Sequence, residues 1–254
     1  MNRINKLVFS LLIASASIAG IIKLQLPYIS DSEGAISAEE YQRLEKKESL
    51  QVLLLNKLPD FGYNNLTANL VYLNFIQYYG DAEAREVTGY RLSPDYFKTV
   101  VAKDPRFVTS YYIMEPATTL FAGEPKISHD LIVEGLKIIQ PTQPLAHQLW
   151  IYKGILEILF LGDLKEAQKS YQMAAKWAKI ENTEESLSVA QVAEGTAKFL
   201  ATEPDNRKIA GSSWLTIALN ARDEATRERA LAEIDKLGGK VMVEGNRVFV
   251  RYDN

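Results

Sequence analysis

The sequence predicts an all-α protein: a solenoid of helical-hairpin repeats with an N-terminal transmembrane helix and a small C-terminal β-hairpin. Three observations predict it. From Leu66 to Leu237, apolar residues recur at helical spacing between short stops made of Gly-Asp or Pro-containing turns. Gly80, Gly123 and Gly162 close the first helix of three successive pairs at intervals of 43 and 39 residues, the range of helical-pair solenoids. The first 30 residues are apolar behind a basic flank, and the last 16 alternate in the manner of strands.

Residues 1–30 place Arg3 and Lys6 ahead of an uncharged, mostly apolar run from Leu7 to Ile22. Sixteen helical residues reach about 24 Å, short of a ~30 Å hydrocarbon core. Continuing to Ile29 supplies the length if Lys23 snorkels to the interface. The alternative is a cleaved signal, since Ser17-Ile18-Ala19 offers the small residues that a signal peptidase accepts. Under either reading the basic flank stays in the cytoplasm and the rest of the chain lies on the periplasmic or lumenal side of a membrane.

Residues 31–60 form a charged stalk and a lead-in helix, and residues 61–238 the repeats. Helices are expected at Leu66 to Tyr79, Pro94 to Ala102, Phe107 to Phe121, Ile127 to Ile139, Ala146 to Leu161 and Leu164 to Lys179, then at 186–201, 206–220 and 223–237. Gly ends them by adopting the left-handed cap conformation, Asp caps the following N-terminus, and Pro cannot continue a helix. Pro116, inside the helix at 107–121, should kink it. Residues 239–254 carry "KVMV" and "RVFVRY" on either side of "EGN". This is a hairpin around a three-residue turn, which packs on the last helices or pairs with a partner's strand.

Within 147–179, the residues Trp150, Gly154, Gly162, Asp163, Ala167, Tyr171 and Ala174 supply a bulky aromatic, a small residue, a Gly-Asp turn, Ala, an aromatic and Ala. This order resembles the tetratricopeptide repeat. Tyr111 and Gly123 match it in the unit before, and Phe97 and Pro105 in the first, while Val100 and Leu136 stand where the family has a small Ala. Each first helix is one residue longer than the family's spacing, and the first unit carries an insertion around "AEAREVTGYR". The resemblance implies stacked helical pairs, a concave groove lined by first-helix positions, and a protein partner. It carries Asn69, Tyr72, Thr109, Tyr112, Thr119 and Gln148 to that groove, where Tyr and Asn give hydrogen bonds and rigid contact area at low entropic cost. A membrane-tethered repeat protein of this kind also resembles proteins of bacterial membranes.

The 29 basic and 32 acidic residues are spread along the chain, leaving no basic stripe to neutralise a nucleic-acid backbone. No cysteine is present, which removes disulfides, thiolate chemistry and cysteine-bound metals. His129 and His147 lie on different expected helices with no ligand at helical spacing, so neither a metal nor another cofactor is expected. Ser128-His129-Asp130 holds the residue types of a hydrolytic triad, but neighbours on a helix point apart, and the trio reads as a helix N-terminus. The expected function is a membrane-anchored, non-catalytic protein-binding scaffold that assists assembly or stability of a membrane complex. Its rival is a permanent structural subunit of such a complex; a helical enzyme using scattered carboxylates is the third reading.

Overall fold

The computed structural model describes residues 14–15, 17–23, 36–221, 223–245 and 247–252. Its elements are α1 (Ala38–Lys57), α2 (Asn64–Gly80), α3 (Ala82–Thr88), α4 (Ser93–Lys103), α5 (Val108–Pro116) and α6 (Pro125–Leu136). There follow α7 (His147–Leu156), α8 (Leu164–Glu181), α9 (Glu184–Leu200), α10 (Asn206–Asn220) and α11 (Glu224–Lys236), then β1 (Gly239–Glu244) and β2 (Arg247–Tyr252). The fold is helical-repeat-like and all-α apart from the terminal antiparallel hairpin. Most of the anchor expected at 1–30 lies outside the described residues, of which 14–15 and 17–23 are helical. Among the described residues no helix is long and apolar enough to cross a membrane. By its contacts the chain divides into Met1–Leu44 and Glu45–Asn254, with the boundary inside α1.

Helix ends follow local side-chain chemistry. Asp81, Asp163, Asp205 and Asp223 each accept a backbone N–H from the first turn of the helix that follows, and Thr183 and Ser186 form a capping box. Gly123 and Gly162 take the left-handed conformation, with φ of 77° and 66°. Gly80 does not: Asp81 turns the chain straight from α2 into the short helix α3, which is the insertion seen in the sequence.

The extra residue in the first helices is taken up by a change of winding. α5 runs into a π-helical segment, Ala117–Phe121, and α7 into another, Glu157–Leu161. Ala122 N–H donates to Ala117 O at 3.0 Å, five residues back. Both segments then close alike, Glu124 N–H to Thr118 O and Asp163 N–H to Glu157 O, each 2.9 Å. The first segment begins immediately after Pro116, the proline without an N–H for the α ladder at which the sequence leads one to expect a kink. α2 remains α-helical throughout.

One apolar core runs from α1 to α8 and includes Phe75, Tyr96, Phe97, Tyr111, Ile132, Leu149 and Leu156, all buried. A second, around Trp214, joins α10 and α11. The spacing of the helical pairs depends on two glycines. A Cβ on Gly135 would lie 2.2 Å from the Tyr111 hydroxyl, and one on Gly154 would lie 2.8 Å from the Tyr171 ring. Val250 packs on the Trp214 cluster and the Tyr252 hydroxyl donates to Arg207 O, so the hairpin rests on the last helices. Its register pairs Glu244 with Arg247, giving a two-residue turn where the sequence suggested three, with Gly245 at the φ of 60° such a turn requires.

Candidate partner-binding surface

The six residues expected to line a groove take up different environments. Asn69 and Thr109 are exposed. Tyr72 is half-buried, edge-on to Phe107 at 5.0 Å. The Tyr112 hydroxyl donates to Leu145 O at 3.0 Å and its ring meets Tyr152 edge-on. Thr119 is 2% exposed and donates to Glu115 at 2.8 Å. Gln148 borders a cleft of about 310 Å³ shared with Ile151, Tyr171 and Val192. No hydrogen bond or ring contact joins any two of the six among the described residues.

Buried polar groups concentrate where helices cross. Glu157 opens the second π-segment and accepts Ser170 Oγ at 2.6 Å, with His129 Nε2 at 3.5 Å and the Lys153 ammonium also bonded to it. Burial alone would raise its carboxyl. The bonds from His129, Lys153 and Ser170 outweigh it and hold the group below the usual carboxylate range. Lys153 also donates to Ser170 at 3.0 Å, so a serine, a lysine and a carboxylate meet. Ser170 is fully buried and its hydroxyl donates to Glu157, so the cluster ties α6, α7 and α8 together. Asp130 of the Ser-His-Asp trio pairs with Lys126 at 2.7 Å, and Ser128 is buried. Among the described residues no group of three or more His, Asp or Glu could hold a metal ion.

A long open feature lies along α8 and α9. Alanines form the seam between these helices, Ala174, Ala175 and Ala178 facing Ala190 and Ala193. Beside the seam run two adjoining hollows of about 960 and 500 Å³, which share Gln168, Gln172 and Ala201. Their wall on α8 is a ladder on one helical face, Lys165, Gln168, Gln172, Lys176 and Lys179 at steps of three and four, with Lys169 four residues after Lys165. α9 adds Lys198 and Glu194. Lys169 pairs with Glu166 and Lys179 with Glu194, while Lys165, Lys176 and Lys198 have no ion pair among the described residues. The bond from Lys179 holds the Glu194 carboxyl below its ordinary range. The result is a long, shallow trough in which five lysines outnumber the lining acids Asp163, Glu194 and Glu203, with amide side chains at regular intervals, suited to an extended segment with carboxylates and unsuited to enclosing a small molecule. "LKEAQKSYQMAAKWAK" holds this ladder in plain view, but a run of lysines on one face of a helix reads first as a solvated surface.

Compared with protein families, with curated proteins and with solved structures, the chain matches none.

Proposed function

We propose that this chain is a non-catalytic scaffold of the tetratricopeptide kind, tethered to a membrane with its repeats on the non-cytoplasmic side. It holds an acidic, extended segment of a protein partner along α8 and α9. The observation that carries the reading is the lysine-rich trough, an open surface in which Lys165, Lys176 and Lys198 have no ion pair among the described residues. Two contacts support the repeat type: Tyr111 seated on Gly135 and Tyr171 on Gly154, each an aromatic against a small residue within one helical pair. The sequence of residues 1–30 supports the tether.

Gentle purification of the protein from its native membrane tests the proposal. A co-purifying protein with a carboxylate-rich segment is expected, crosslinking to α8. A companion that crosslinks elsewhere and stays at constant stoichiometry favours the permanent-subunit reading. A chain that leaves the membrane alone and turns over a substrate contradicts both.

A further inference from the structure

The outward face of α1 and α2 within Glu45–Gly80 exposes an unusual amount of apolar side chain. On α1, Leu50 is 66% exposed, and Leu53 and Leu54 share its face; Glu45 and Val52, on the opposite face, are buried. On α2, Leu66, Leu70 and Leu73 form an exposed stripe at spacings of four and three, while Ala68, Val71, Phe75 and Tyr78 point inward. Between the helices the turn projects Phe61, 87% exposed, and Tyr63. Both helices place their inner faces on α4, through Glu48 to Tyr96 and Asn56 to Thr99 from α1 and Phe75 to Tyr96 from α2, so the apolar faces are directed away from it. Single exposed apolar residues are ordinary on a soluble protein, but stripes of them on two successive helices are not.

Charge says what covers it. α2 has no charged residue in its 17 positions. In the part of α1 from Glu45 onward the acids turn inward, Glu45 to Arg85 and Arg91 and Glu48 to the Tyr96 hydroxyl, while Glu39 and Glu40 lie ahead of the leucines in the first turn. Lys46, Lys47 and Lys57 lie among the leucines on the outward face, exposed and without ion pairs among the described residues. Leucines bordered by lysines, with the most exposed aromatic at a protruding tip, are what an anionic lipid surface selects. The leucines and phenylalanine enter the acyl boundary, and the lysines extend their stems to reach lipid phosphates. The core of a protein interface instead disfavours lysine and seats its aromatics in a pocket.

We propose that this face lies on the surface of an anionic bilayer, with Phe61 and the leucines of α1 and α2 inserted below the headgroups. The inference goes beyond the tether, because the contact is made by folded helices and not by residues 1–30. In this geometry the repeats lie close along the membrane and do not stand off on a stalk.

Because the chain has no cysteine, single cysteines report position cleanly. Leu54→Cys, Phe61→Cys and Leu70→Cys full-length chains, and Val192→Cys as an exposed control on α9, are labelled with a small fluorophore. Each is added to vesicles of phosphatidylcholine alone, or with one third phosphatidylglycerol, carrying brominated acyl chains. Quenching at the first three sites should exceed that at Val192 at least about two-fold in the anionic vesicles, and should fall when Lys46, Lys47 and Lys57 are all changed to Gln. Quenching equal to the control overturns the proposal. So does protection from aqueous iodide without acyl-chain quenching, which would mark a protein contact or a second copy. Flotation and alkaline extraction separate this claim from the tether. A chain that floats and resists extraction but is unquenched at the three sites keeps the tether and loses this face; a quenched chain released by alkali does the reverse.

Discussion

Glu115 is the side chain whose surroundings make the sharpest demand. It is buried on α5 and accepts from Thr119, and burial pushes its carboxyl up to about 7 against the pull of that bond. The native state therefore holds this proton more tightly than the unfolded chain, where the ordinary value is 4.5. Stability from this group is fullest below the unfolded value, falls as pH rises towards 7 and levels off above. Glu115→Gln should abolish that fall, worth up to about 3 kcal/mol, in urea unfolding followed across the window. Parallel curves for variant and parent would contradict it. Gly135 makes a steric demand. Its neighbour Tyr111 cannot step aside, held edge-on to Phe97 at 5.1 Å and by its hydroxyl to Pro105 O at 3.2 Å. Gly135→Ala should cost about 1–3 kcal/mol, and adding Tyr111→Phe, which deletes the clashing oxygen, should recover part of it in a melting experiment. The sequence pointed one position away, to Leu136, because family spacing says that a small residue is needed and only packing says where.

At the scale of elements, helix existence was legible and winding was not. Stops such as Asp81, Asp163 and Thr183 work through bonds to residues three away, and Gly123 through its own backbone conformation, so they can be read locally. The π-segments announced themselves only as one residue too many. Whether a helix disposes of that residue by bulging, looping or lengthening depends on what lies across from it. For Ala117–Phe121 part of the answer is Arg229 on α11, which donates to Leu120 O at the helix end, where carbonyls lack helical partners. Arg229→Met keeps the stem and loses the bond, and should lower stability by about 1–3 kcal/mol in thermal unfolding. In the third unit, Trp150 stands edge-on to Trp177 at 5.6 Å and bridges two apolar clusters. Trp150→Ala should cost about 3 kcal/mol by the same measurement. The six groove positions came from a family register, and of them only Thr119 lies inside a π-segment, where it faces inward.

For the whole molecule, two proposed surfaces lie within Glu45–Asn254, an apolar face on α1 and α2 for lipid and a lysine-rich trough on α8 and α9 for a protein segment. Neither was legible as a site. Exposed leucines in a helical sequence look like core until the structure leaves them uncovered, and lysines at helical spacing look like ordinary solvation. The measurement that tests the central claim most directly is co-purification from native membrane of a chain carrying Lys165→Glu, Lys176→Glu and Lys198→Glu, alongside the parent. These exposed side chains have no ion pairs to lose, so the variant should melt like the parent. The account predicts that it loses the acidic companion that the parent retains, and a variant that melts normally and retains the companion in full would contradict it.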